Sequence, residues 1–246
     1  MILEVEDLRK SFYQFKAIDG VTFMVPQRVI YSVIGPNGAG KSTLFNLITG
    51  KFSADTGRIL FKNQDISKLK PHEICGMKIS KSFQVANIFQ KFNVFENVQM
   101  AILSSQGKNK NMINRANRFM REETMEILES LGLADKRDVM GGLLAHGDQK
   151  LLDMAIALAC DPELLLLDEP TAGMGPDETH KTTELIQKMA RERNLTIVLI
   201  EHDMQVVFKI SNTIMVLHHG QLIAQGKPQE IKNNEEVQRI YLGEMQ

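Results

Sequence analysis

No apolar run in this sequence is long enough to cross a bilayer. The longest, Leu151 to Ala159 broken by Asp153 and Leu164 to Leu167, fall far below the roughly 20 residues that a spanning helix requires, so the chain is not expected to enter a membrane. A basic stretch followed by an apolar one, the mark of a signal peptide, is also missing at the start. Ile2, Leu3 and Val5 alternate there with Glu4, Glu6 and Asp7, which is a strand pattern. Cysteine is scarce. Cys75 and Cys160 stand far apart in the sequence without CxxC or Cys/His spacing, which predicts unpaired thiols and no metal held through them. Excess charge of either sign is missing too. The 29 basic and 30 acidic side chains nearly cancel, so no global field argues for nucleic acid or an anionic membrane surface as partner.

What is present suffices for one substantial core. A chain of 246 residues, 43% apolar, reads as a single domain. Ile30 to Ile34 is a compact β-branched and aromatic run that ends in a glycine-rich turn, and Lys41 to Ile48 follows with helical character. Gly57 to Phe61 and Met77 to Phe83 read as further strands. Glu122 to Leu131 places Met125, Leu128 and Leu131 on one helical face, after a polar connection at Gln106 to Asn114. Beyond it come strands at Leu164 to Leu167, Thr196 to Ile200 and Thr213 to Leu217, with a helix over Pro176 to Arg193. Uninterrupted apolar strands alternating with helices predict an α/β fold whose mainly parallel sheet is covered on both faces. The division expected is a core with a β portion, residues 1–85 and 153–246, interrupted by a helical lobe, residues 86–152.

Gly35 to Thr43 reads GPNGAGKST and satisfies G-x-x-x-x-G-K-[ST] in the required setting, after a strand and before a helix. Gly35, Pro36, Asn37, Gly38, Ala39, Gly40, Lys41, Ser42 and Thr43 are thus candidate nucleotide contacts. Gly38 and Gly40 let successive N–H groups turn toward phosphates at the positive end of a helix. Lys41 reaches the β- and γ-phosphates, and the Ser42 hydroxyl is a candidate Mg²⁺ ligand. LLLLDEP, Leu164 to Pro170, delivers two carboxylates at the carboxyl end of an apolar strand, where ligands bind in such sheets. Asp168 is expected to hold Mg²⁺ through its water shell, and Glu169 to orient or deprotonate an attacking water.

A phosphate loop is shared by many protein classes; the remaining motifs distinguish among them. Leu144, Ala145, His146, Gly147 and Asp148 precede Asp168 at the spacing of the ABC signature LSGGQ. Gln84 in Ser82-Phe83-Gln84 resembles the Q-loop glutamine. His202, after the strand TIVLI, resembles the switch histidine, and Phe12 in KSFYQF the aromatic that stacks on adenine. Each alone is an ordinary residue, but their ordered recurrence around one phosphate loop makes the whole chain resemble an ABC transporter ATPase subunit.

That resemblance implies a P-loop core with an N-terminal antiparallel β portion and a helical lobe. It also implies hydrolysis of ATP with Mg²⁺ held by Ser42, Gln84 and Asp168, and Glu169, His202 and Gln84 as catalytic residues. The signature is expected to act in trans on the ATP of a second ABC ATPase subunit, a copy or a paralogue. The other expected partners are transmembrane permease subunits at the cytoplasmic face of the membrane and, indirectly, a substrate-binding protein. AHGDQKLLDMAIALA, PTAGMGP, IEHDM and VQRIYLGE look most like the branched-chain amino acid importers, with urea importer and lipopolysaccharide exporter ATPases also similar. A non-transport ABC ATPase usually has paired cassettes or a long coiled coil, and neither pattern occurs here. Ala145 stands for the signature serine, His146 for its first glycine, Asp148 for its glutamine, and Gly175 for the usual D-loop aspartate.

Overall fold

The structure, a computed structural model, describes residues 1–82, 86–105 and 113–243. β1 (Leu3–Phe12) and β2 (Phe15–Val25) form an antiparallel hairpin in which Leu3, Val5 and Leu8 turn inward and the intervening acidic residues outward. β3 (Ile30–Ile34) leaves this hairpin for a second sheet, and α1 (Lys41–Ile48) follows it after the glycine-rich loop. The chain then returns as β4 (Thr56–Phe61) and β5 (Gln64–Asp65), completing an antiparallel sheet of order β2-β1-β4-β5.

A short helix, α2 (Pro71–Gly76), leads into β6 (Ile79–Lys81). The strand expected from Met77 to Phe83 is thus shorter, because Met77 closes α2 and Lys78 takes a left-handed turn at φ 68°. Phe83 lies outside the described residues. α3 (Val94–Ser105), α4 (Ile113–Ser130) and α5 (His146–Leu158) then come between β6 and β7 (Leu164–Asp168), although those strands are hydrogen-bonded neighbours. The rest alternates: α6 (Pro176–Glu192), β8 (Thr196–Ile200), α7 (Met204–Ile210), β9 (Thr213–His218), β10 (Gln221–Gly226), α8 (Pro228–Lys232) and α9 (Glu235–Gly243).

The second sheet has the order β10-β9-β3-β8-β7-β6, parallel except for β10. Every residue of β3, β7 and β8 is buried, as expected for strands covered on both faces. Side chains from alternate positions fill two different clusters. Val33, Leu166 and Val198 pack with α1 and the antiparallel sheet, whereas Leu165, Leu167 and Leu199 pack with Val98, Ile102, Leu128 and Leu152 of the inserted helices. Each such side chain contributes about 1.5–3 kcal/mol by leaving water, so the inserted helices are held by the same strands that carry the site.

Cys75 and Cys160 are free thiols that line one cavity between α2 and the end of α5. A hydrogen bond from Cys160 holds the Cys75 thiol below its ordinary range. Sequence separation had concealed that proximity.

Candidate functional site

The loop from Gly35 to Gly40 joins the end of β3 to the start of α1. Gly40 adopts φ 105°, and a Cβ there would come within 2.4 Å of the Ala17 carbonyl, so neither the conformation nor the space admits a side chain. Gly38, at φ 80°, faces open space on its Cβ side. Lys41 begins α1 and curls back: its ammonium donates to the carbonyls of Gly35 at 2.5 Å and Pro36 at 2.9 Å. A cavity of about 260 Å³ opens over this turn, bordered by Asn37 to Thr43, Phe15, Ala17, Glu169 and His202. Ser42 and Thr43 border it from the helix N-terminus, where backbone N–H groups favour an anion.

β7 carries the carboxylates to the same place. Asp168 is 4% exposed. One of its oxygens, Oδ2, is paired with the Lys81 ammonium at 2.9 Å, while the other, Oδ1, is buried with no hydrogen-bond partner among the described residues. An orphaned carboxylate oxygen at the strand end that leads to Glu169 suits a hydrated cation. Glu169 takes a left-handed φ of 52°, which costs a side chain of this kind about 1 kcal/mol or more. That turn lifts it out of the sheet: its N–H still donates to the Ile200 carbonyl at 2.9 Å, and its carboxylate accepts from His202 Nε2 at 2.9 Å. Glu201 is buried beneath the pair. It accepts from the Thr171 N–H and hydroxyl and, through its other oxygen, from the His202 N–H at 3.0 Å, fixing the ends of β7 and β8 together.

The structure brings Lys41, Ser42, Glu169 and His202 to the border of one cavity, with Asp168 buried beside Glu169 at the end of β7. Phe12 is not among the residues bordering that cavity. The tight β1–β2 turn pairs Phe12 with Phe15 and sends them to different neighbours: Phe12 stands edge-on to Phe52 with ring centroids 5.2 Å apart, and Phe15 reaches the cavity. Of the two hairpin aromatics, Phe15 rather than the expected Phe12 borders the cavity. Gln84 lies outside the described residues.

The signature residues lie apart from this cavity, at the start of α5. Leu144 is buried, Ala145 occupies the N-cap without a side-chain cap, and His146 is exposed. Asp148 is paired with Lys136 at 2.5 Å. The His146 ring lies against Gly173, where an added Cβ would come within 3.3 Å of it. The histidine in place of a signature glycine thus fits a glycine in the facing loop. Gly175 begins α6 with open space at its Cβ position, and the Gly175 N–H donates to Glu178 at 3.3 Å.

The sequence model described as "ABC transporter" matches residues 18–172, and a second, "Branched-chain amino acid ATP-binding cassette transporter", matches residues 221–245. The chain belongs to the ABC transporter ATP-binding family. This cassette is 37% identical over 99% of its length to the high-affinity branched-chain amino acid transport ATP-binding protein LivG of Escherichia coli (strain K12), covering 98% of that protein. It is 36% identical to BraF of Pseudomonas aeruginosa over 99% and 98% of the two chains. Among solved structures, the ADP conformation of the ATP-binding cassette MJ1267 superposes with a TM-score of 0.85 at 31% identity, covering 98% of each chain.

Motif reading passed over Lys81, which the structure pairs with Asp168, and Phe15, which it places at the cavity. Lys81 was legible only as a charge inside a short apolar strand, and its role needs the pairing of β6 with β7. The signal for Phe15 was the register of a hairpin.

Proposed function

We propose that this cassette is the MgATP-hydrolysing subunit of an importer for branched-chain amino acids. It would bind a transmembrane permease at the cytoplasmic face of the membrane, pair head to tail with a second cassette, and serve a substrate-binding protein outside. The observation that carries the reading is the convergence of Lys41, Ser42, Glu169 and His202 on one cavity over the glycine-rich loop, with Asp168 next to Glu169 at the end of β7. The C-terminal match selects the cargo class.

In this reading the triphosphate draws the Lys41 ammonium away from the loop carbonyls, and the loop N–H groups take the phosphate oxygens. Glu169 accepts a proton from water as the water oxygen bonds to the γ-phosphorus and the bond to the bridging β–γ oxygen breaks, releasing ADP and phosphate. His202 gives up the Glu169 carboxylate and donates to the γ-phosphate, so its position reports whether that group is present. Mg²⁺ would be held by Asp168, Ser42 and Gln84, and when bound it neutralises charge on the β- and γ-phosphates. Exposed Phe89, Phe92, Met140 and Leu143 supply an apolar patch on the inserted lobe for the permease.

The test is uptake in cells lacking this gene. Radiolabelled leucine uptake should fall and return with the wild-type chain but not with Lys41→Ala. Leucine uptake unchanged by deletion overturns the cargo; MgATP hydrolysis unchanged by Lys41→Ala overturns the site.

A further inference from the structure

Glu169 is held in a backbone conformation that its side chain disfavours, so something must keep it there. One restraint is the hydrogen bond from its own N–H to Ile200 in the neighbouring strand. A second lies within its own turn, where the Glu169 main-chain oxygen accepts from the Ala172 N–H at 3.2 Å, and a third comes from outside the sheet. Lys150, on the second turn of α5, donates from Nζ to the Glu169 main-chain oxygen at 2.6 Å. We propose that Lys150 is a positioning residue for hydrolysis, holding the Glu169 carbonyl so that the carboxylate stays aimed at the phosphate cavity.

Lys150 is 4% exposed, an unusual place for an ammonium group. Burial lowers its pKa, while the carboxylates of Glu201, Glu169, Asp153 and Asp168 act in the opposite direction and stabilise the charge. A buried lysine whose charge is supported by the carboxylates of the phosphate site is better suited to orienting that site than to filling space. Its helix strengthens the case. Asp153, one turn further along α5, accepts from the Asn87 N–H at 2.9 Å. The buried polar side of α5 therefore fixes the strand-end carbonyl through Lys150 and the start of the inserted segment through Asp153. The same helix begins at the signature residues. A contact made there by a second cassette is joined to Glu169 through less than two turns of helix.

The inference rests on Glu169 being the base, and the test separates the two claims. Lys150→Met keeps the stem and removes the donor; Lys150→Arg keeps a donor. Steady-state MgATP turnover of the full chain is measured beside MgATP affinity and thermal unfolding. Lys150→Met should lower kcat about 10- to 100-fold with KM, affinity and unfolding temperature nearly unchanged, and Lys150→Arg should restore part of the loss. In a Glu169→Gln background, Lys150→Met should lower turnover no further. Wild-type kcat in Lys150→Met overturns the proposal, as does an equal loss in both backgrounds. If Lys150→Met does not fold, Lys150→Gln takes its place, and loss of folding in Lys150→Gln and Lys150→Arg alike overturns the proposal in favour of a packing role. Normal turnover in Glu169→Gln alone removes the base assignment whatever Lys150 does.

Discussion

Glu169→Gln keeps the size of the side chain and its hydrogen-bonding shape but removes the base. ATP binding should survive while turnover falls by about 10² to 10⁴; steady-state hydrolysis beside nucleotide titration checks both, and near-normal turnover excludes Glu169 from the role. The aromatic residues give a second contrast. Phe15→Ala should weaken nucleotide binding by about 1–3 kcal/mol through lost stacking on the base. Phe12→Ala, which removes the edge-on partner of Phe52, should instead lower the unfolding temperature and leave affinity near wild type. Equal affinity losses in the two variants would return Phe12 to the cavity. The contrast also marks what the sequence disclosed. Lys41, Asp168 and Glu169 were legible because loop chemistry and strand ends place them locally, one or two residues from a recognisable turn. The face of a hairpin taken by Phe12 or Phe15 depends on pairing and bulges, and the Lys81–Asp168 contact depends on strands separated by the whole inserted lobe.

Among the elements, the segment ahead of α3 shows how an irregular loop is made rigid. Asn97 is fully buried. Its Oδ1 accepts from the Phe89 N–H at 2.8 Å, and its Nδ2 donates to the carbonyls of Phe89, Phe92 and Asn93. One side chain thus satisfies a turn that leaves the Phe89 and Phe92 rings 5.5 Å apart, 57% and 38% exposed. Phe95, from the same aromatic run, packs instead against the inserted helices. Phe89→Asp should weaken capture by the permease and leave MgATP affinity of the isolated chain unchanged; pull-down beside nucleotide titration tests both halves. Intact assembly would move the dock elsewhere. Asn97→Ala, which strands buried backbone groups, should cost about 1–3 kcal/mol of folding stability for each group left unsatisfied, read by denaturant unfolding. β7 was legible as an uninterrupted apolar run and α6 from the periodicity of a 17-residue helix. α2 and α7 were not, since six or seven residues carry too little periodicity.

At the scale of the whole molecule, the start of α5 departs from the ABC signature at Ala145, His146 and Asp148. Ala145 carries no hydroxyl, and it also leaves the N-terminus of α5 without a side-chain cap. Ala145→Ser should therefore act twice. A cap should raise the unfolding temperature of the monomer by an amount equivalent to about 0.5–2 kcal/mol. A hydrogen bond to the partner's γ-phosphate should tighten the MgATP-bound pair by about 0.5–3 kcal/mol. Light scattering with and without MgATP separates these effects, and a tight wild-type pair unchanged by the substitution would show that other contacts suffice. The strand order has a further bearing on how the cassette is made. Among the described residues the strand neighbours of β3, which feeds the phosphate loop, are β8 and β9, near the far end of the chain. During synthesis β1, β2, β4 and β5 emerge with their strand partners, while β3 waits for β8 and β9 to leave the ribosome. A nascent chain halted before Thr196 holds every residue of the phosphate loop and lacks the walls that shape it, so nucleotide capture arrives late and together with closure of the central sheet.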